Sequence, residues 1–294
     1  MNFRSLYRGE SNFVALEGPR EGAVLVERVE IAQEPSTRAF SRYADFAELV
    51  VDSRERQKLE LKLLDQLAPD DAELVLEDDF QSPVLNANQW ETLGDVRLLD
   101  GAVQLGSPNL AEHIDTWKER PYLLTRRPLE SQSGRLAILG KISFSENFLS
   151  GYGASFAVMT RADNQRGHKS GWASSVLQRG IRANFWPAAW DTQHSMEVHQ
   201  FKGAEPFELL HTQEVRVDPN VRSYLFRAID DGRSIQLTIL DPIRPKQPMT
   251  ISSPTTLVND QGHVGFESTW GSPVTLDNVR IYQAPSSFGS TTLS

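Results

Sequence analysis

The stretch Ile181-Arg182-Ala183-Asn184-Phe185-Trp186-Pro187-Ala188-Ala189-Trp190-Asp191, followed by Met196-Glu197-Val198-His199-Gln200, holds residue types suited to sugar chemistry. Read as strands of period two, Ile181, Ala183 and Phe185 face a core, and Arg182, Asn184 and Trp186 face out. By the same count Glu197 and His199 lie opposite Met196 and Val198. A tryptophan ring is a flat apolar platform for the C–H face of a sugar, and guanidinium, amide, carboxylate and imidazole groups serve its hydroxyls. Arg182, Asn184, Trp186, Trp190, Glu197 and His199 are therefore the expected ligand-binding set. The competing reading is a tryptophan packed under a loop, with polar neighbours that are merely solvated.

Other chemistries find less support. His194 and His199 stand five apart, which does not place both on one face of a strand, and no third zinc ligand accompanies them. No Gly-x-Ser-x-Gly elbow is present for a Ser-His-Asp arrangement. Gly151-Tyr152-Gly153 lacks the lysine and the strand-to-helix context of a phosphate loop and reads as a turn. With no cysteine there is neither a thiol nucleophile nor a thiolate zinc site nor a disulfide framework. The polar run Arg161 to Lys169 reads as a loop that either rims a binding face or is simply solvated.

These residues have to be positioned by strands. From Glu73 onward the period is two, with turn signals at short intervals. Asp100-Gly101 and Asp231-Gly232 each stand between apolar runs, the strongest short hairpin pattern. Strands are expected at Val96–Leu98, Ala102–Leu105, Leu123–Thr125, Arg135–Phe144, Ala154–Arg161, Gly180–Trp186 and Ser195–Gln200. More follow at Phe207–His211, Glu214–Val217, Tyr224–Ile229, Ser234–Leu240, His263–Glu267 and Val274–Tyr282. So many short strands without intervening helices predict two packed antiparallel sheets. In the last strand Val274 and Leu276 share one parity and Val279 and Ile281 the other, which calls for a bulge at Asp277-Asn278.

The sandwich is expected over 72–285, preceded by a hairpin over 1–35 and a helical linker over 36–70. In the hairpin, Gly18-Pro19-Arg20-Glu21-Gly22 separates two apolar stretches. In the linker, Phe40, Tyr43, Phe46 and Val50 recur at helical spacing, and Leu59, Leu63, Leu64 and Leu67 form a second stripe. That leucine stripe either docks on neighbouring structure or forms a short dimerising coiled coil. Residues 286–294 read as a disordered tail.

The chain has 294 residues and a net charge of −9. An acidic balance argues against nonspecific nucleic-acid binding, which is driven by basic patches. No apolar run approaches the roughly twenty residues of a membrane span, so no membrane insertion is expected. The start Met1-Asn2-Phe3-Arg4-Ser5-Leu6 lacks a signal peptide's apolar segment. The expectation is a piece of a longer, extracytoplasmic protein, with an upstream domain missing from this chain.

The opening Asp78-Asp79-Phe80, then Trp90, then Gly94-Asp95-Val96-Arg97-Leu98-Leu99-Asp100-Gly101-Ala102-Val103-Gln104-Leu105, resembles the start of concanavalin A-like lectin/glucanase domains. The closing Leu276-Asp277-Asn278-Val279-Arg280-Ile281 resembles their last strand, which lies beside the first. The likeness extends to laminin G-like modules, including some of bacterial envelope proteins. It implies an antiparallel two-sheet jelly-roll sandwich, and a function anywhere among lectins, glycosidases, lyases and adhesion modules. Glycosidases of this group carry a Glu-x-Asp-x-x-Glu triplet, or one residue longer, on one strand. No such triplet is present: Glu77 and Asp79 have the first spacing, but Ser82 stands at the third position. The group often holds a structural calcium near its strand ends, where Asp79 and Asp277 are the candidate ligands. A bulge without metal is the alternative there.

The sequence reading is therefore a non-catalytic module that binds a glycan or a protein. A carbohydrate-active enzyme with an atypical site built on Glu197, His199 and Asp191, or a purely structural assembly module, are its alternatives.

Overall fold

A computed structural model of the chain describes residues 2–8, 11–17, 53–106, 121–130, 134–145, 154–163, 179–188, 194–203, 207–218, 221–258, 261–268 and 273–285. The chain divides into two compact units, Met1–Asp52 and Ser53–Ser294. In the first, strands β1 (Asn2–Arg8) and β2 (Ser11–Glu17) form an antiparallel hairpin with Asn2 opposite Glu17 and Arg8 opposite Ser11. The strand holding Phe13 to Leu16 thus pairs with the segment before it. The expected turn at Gly18–Gly22, the apolar stretch that follows it and the helical spacing over Phe40–Val50 lie outside the described residues, as does the tail 286–294.

The second unit is a sandwich of two antiparallel sheets, each of eight strands. Sheet I contains β4 (Trp90–Leu93), β7 (Tyr122–Thr125), β8 (Leu129–Glu130), β10 (Ala154–Ala162), β11 (Arg179–Ala188), β12 (Ser195–Lys202), β13 (Glu208–Glu214) and β17 (Gln261–Glu267). Its order is β13-β12-β11-β10-β17-β7-β4, with β8 also on β17. Sheet II contains β3 (Glu73–Asp78), β5 (Val96–Leu99), β6 (Ala102–Leu105), β9 (Gly134–Phe144), β14 (Ser223–Asp230), β15 (Ser234–Leu240), β16 (Met249–Pro254) and β18 (Val274–Pro285). Its order is β16-β15-β14-β9-β18-β6-β5, with β3 also on β18. The first and last strands of the sandwich meet as expected, with Val279 opposite Asp78.

Local chemistry sets these registers. Asp100 and Gly101 take positive φ of 51° and 75°, the conformation a tight Asp-Gly hairpin needs between β5 and β6. Asn278 adopts φ of 50°, and the register of β18 on β9 shifts between Asp277 and Arg280. That bulge lets Leu276 and Val279 both reach the core despite their opposite parity. Helix α1 (Ser53–Leu67) buries Leu64 and Leu67 against Leu139, Leu225 and Leu240 on the outer face of sheet II. The leucine stripe thus docks on the sandwich, and Lys141 Nζ meets Glu60 at 2.6 Å beside it.

Between the sheets lies an aromatic core. Phe156 of sheet I and Phe226 of sheet II approach to 4.9 Å between ring centroids, and Phe185 meets Tyr224 edge-on at 5.4 Å. One charged pair joins this interior. Arg161, at φ of 52° in a bulge of β10, turns inward, where its Nε donates to Asp230 Oδ2 at 2.9 Å and its Nη1 to Thr255 Oγ1 at 3.0 Å. Nη2 closes the bidentate pair with Asp230 Oδ1. Gly262 crosses this bulge so closely that a Cβ there would lie 2.3 Å from Arg161 Cα.

A buried pair stripped of one partner leaves an uncompensated charge. Arg161→Met should therefore lower the unfolding free energy in urea by about 3–5 kcal/mol. A loss below about 1 kcal/mol would mean that Asp230 finds another partner or water.

Candidate functional site

Strand β11 divides its side chains between the two faces of sheet I. Ile181, Ala183 and Phe185 enter the core, so Arg182, Asn184 and Trp186 lie on the opposite face. On β12, Met196 and Val198 enter the core, so Glu197 and His199 join them. The antiparallel register sets Arg182 opposite His199, Asn184 opposite Glu197, and Trp186 opposite Ser195. The sequence-derived residues on the two strands are thus cross-strand neighbours. Trp190 and Asp191 lie outside the described residues.

The expectation that this face points to solvent needs correction. Arg182 is 1% exposed, Asn184 0% and His199 4%, although all three point away from the core. Their functional groups interlock instead. Arg182 Nη2 lies 3.0 Å from His199 Nδ1, and Asn184 Nδ2 lies 3.3 Å from the same nitrogen. A guanidinium only donates, so Nδ1 accepts and the neutral ring carries its proton on Nε2. That Nε2 faces Glu197 Oε2 at 3.4 Å, and Trp186 Nε1 donates to the same Oε2 at 3.1 Å. Arg182 also reaches across β10 to Glu267 Oε2, 3.5 Å from its Nη1. The small Ala157, between Asn184 and Glu267 in the register, leaves the space. Phe201 lies under the guanidinium at 5.1 Å, and Phe207 meets the His199 ring edge-on at 5.2 Å.

The site therefore has two levels. Arg182, Asn184, His199 and Glu267 form a buried polar layer. Trp186 is half-buried, and the Glu197 side chain is 26% exposed, so these two form the rim. The Trp186 indole N–H donates to Glu197 Oε2, the His199 ring faces the same oxygen, and among the described residues Oε1 has no partner. Two atoms of the buried layer also lack partners: Arg182 Nε and Asn184 Oδ1. Burial raises the Glu197 pKa, opposed by the Arg182 charge and the Trp186 hydrogen bond. Burial, and next the Arg182 charge, lower the His199 pKa to about 2.

The suggested calcium ligands fare differently. Asp79 Oδ1 accepts from Gln81 N at 3.1 Å. Asp277 Oδ1 is buried without a partner; burial raises its pKa, the Lys141 ammonium opposes the rise, and the Asp79 charge adds to it. Calcium takes six to eight oxygens. Two carboxylates beside an ammonium do not fit it, and among the described residues no three His, Asp or Glu side chains gather as a metal site. His194, at the start of β12, leaves Nδ1 buried without a partner and makes no cluster with His199.

Glu267 is the participant that the sequence reading missed. Its parity opposite Phe266 on β17 was legible, but nothing local reveals that β17 flanks β10 and brings a carboxylate to Arg182.

No protein-family model matches the sequence, and no curated protein matches it. The fold does have relatives among solved structures. A legume lectin-like domain from Entamoeba histolytica is similar with a TM-score of 0.50 at 13% identity, covering 71% of this chain and 96% of that one. The carbohydrate recognition domain of Emp47p gives 0.50 at 8%, covering 74% and 99%. Peanut lectin, solved with a nine-residue peptide, gives 0.50 at 12%, covering 72% and 98%. The chain thus has the lectin-like, concanavalin A-like β-sandwich fold.

The buried neutral His199 makes a pH prediction. The unfolded chain takes up this proton near the ordinary value of 6.5, whereas the folded chain resists it down to about 2. Within that window the unfolded state binds more protons, so stability falls as pH falls, by up to about 1.4 kcal/mol per unit. His199→Gln keeps an acceptor for Arg182 and removes the titration. Urea unfolding between about pH 6 and pH 4 should show a slope shallower by up to about 1.4 kcal/mol per unit in the variant. Equal slopes would mean that His199 is protonated in the folded protein.

Proposed function

We propose that this sandwich is a non-catalytic carbohydrate-binding module whose ligand lies on the outward face of sheet I, against Trp186 and Glu197. The observation that carries the reading is the half-buried indole fixed through Nε1 to Glu197 Oε2, with no partner for Glu197 Oε1 among the described residues. An indole held by its own hydrogen bond presents a ring of set orientation, which lowers the ordering cost of stacking a sugar. The open carboxylate oxygen accepts a hydroxyl. Arg182, Asn184 and His199 then act from beneath, holding Glu197 in place, while Trp190 is offered as a further contact. The likeness to Emp47p supports the reading through fold alone, since that domain is a carbohydrate recognition domain.

The laminin G-like branch, and a place in a longer extracytoplasmic protein of a bacterial envelope, belong to the same proposal. The Asp78-Asp79-Phe80 opening and the Leu276–Ile281 closing strand support the first. A polysaccharide ligand would suit the second.

A second reading, cleavage of a glycosidic bond, draws on the raised Glu197 pKa, because an acid catalyst must hold its proton. It also needs a second carboxyl group within about 5–9.5 Å that a sugar or water can reach. Glu267 is fully buried against Arg182, which favours the binding reading.

A broad glycan array followed by calorimetry tests the proposal. At least one oligosaccharide should bind, and Trp186→Ala should weaken it by about tenfold or more with an unchanged circular dichroism spectrum. A silent array would end the binding reading. Release of shorter products from a polysaccharide, abolished by Glu197→Gln, would replace it with the second.

A further inference from the structure

Resting on that reading of the Trp186 face, we infer that the ligand is an oligosaccharide of two or more residues whose chain crosses the strands from Trp186 to the β13 edge, where Thr212, Glu214 and Arg216 hold its second residue. Among the described residues, the outward face of sheet I opens to solvent in one direction across the strands. Toward the middle of the sheet, Ala157 and Met159 of β10 lie opposite Asn184 and Arg182, and Tyr122 of β7 lies opposite Glu267. All six are 0% or 1% exposed. Toward the edge the face opens: the Glu197 side chain is 26% exposed, Ser195 is half-buried, and Thr212, Glu214 and Arg216 are exposed. β13 is the last strand of the sheet on that side. Across the sheet, a ligand seated on the indole therefore continues over β12 to β13.

The register places the edge residues on that path. Ser195 stands between Trp186 and Glu214, and Glu197 between Asn184 and Thr212, so Thr212 and Glu214 share the outward face with the indole. Arg216 joins them by alternation, because Val215 and Val217 on either side of it pack against the core. Neighbouring strands lie about 4.7–4.9 Å apart, which sets the Trp186 and Glu214 backbones about 10 Å from each other. One sugar ring stacked on the indole reaches Glu197 and leaves Glu214 untouched, whereas a second ring covers the distance. The edge has the chemistry to hold that second ring. The Glu214 carboxylate accepts, the Arg216 guanidinium donates and the Thr212 hydroxyl does both, which matches sugar hydroxyls that act in either role.

The test is a length series: gluco-, manno-, galacto- and xylo-oligomers of one, two and four residues, screened on an array and measured by calorimetry. For a sugar that binds, affinity should rise at least about tenfold from one residue to two. Glu214→Gln and Thr212→Val, both at exposed positions and with unchanged unfolding midpoints, should together cut that gain to about twofold or less, and Trp186→Ala should abolish binding at every length. Equal affinity for one and two residues, with Trp186→Ala still abolishing it, overturns this inference and leaves the binding function standing. A gain with length that the double variant keeps in full overturns it as well, since the second residue then lies away from β13. Failure of every oligomer, and of a wider glycan array, overturns both.

Discussion

Every feature of the candidate site follows from one constraint, the two-residue alternation of β11. Ile181, Ala183 and Phe185 must bury against sheet II, and this forces Arg182, Asn184 and Trp186 onto the other face. That face carries a guanidinium and an amide that are as inaccessible as the core itself. Polar groups so placed are tolerated only when they are hydrogen-bonded, so the neighbouring strands have to supply partners. β12 supplies His199 and Glu197 from directly opposite, and β17 supplies Glu267 from across β10.

The resulting network has a direction. Arg182 fixes the tautomer of His199, and the ring directs Nε2–H toward Glu197. Glu197 in turn fixes Trp186, which is half-buried at the rim. The buried layer therefore orients the rim without needing to touch a ligand. The Arg161–Asp230 pair shows the contrasting use of the same chemistry: a guanidinium and a carboxylate bonded bidentately between the sheets, with Thr255 Oγ1 and the Leu257 carbonyl accepting further bonds from Nη1. One buried arginine is completed by its surroundings and binds the two sheets together. The other keeps Nε unmatched beneath a partly open surface.

Much of this was legible in the sequence because it depends on local rules. The alternation of β11 and β12, the Asp-Gly turn at Asp100-Gly101, the phase shift at Asp277-Asn278 and the meeting of β3 with β18 all need only parity, turn chemistry or the end motifs. What escaped depends on packing. Strand β16, running from Met249 to Pro254, is absent from the expected strands; it lies at a sheet edge, where a proline is tolerated that a central strand would not accept. In place of the two strands expected at Phe207–His211 and Glu214–Val217 there is one, Glu208–Glu214. Parity placed Arg182 on the outward face correctly and could not report its burial. Nor could it report Glu267, which lies 85 residues away along the chain.

The central claim is that Trp186 is the ring a glycan covers. Two-dimensional nuclear magnetic resonance of the indole N–H groups of the six tryptophans tests it most directly. On titration with a binding oligosaccharide, the Trp186 signal, assigned by its loss in Trp186→Phe, should shift in proportion to occupancy. Trp90, buried in the core with its Nε1 on Asp78, should stay in place. A saturable titration in which the Trp186 signal does not move would place the ligand elsewhere on the sandwich and contradict the account.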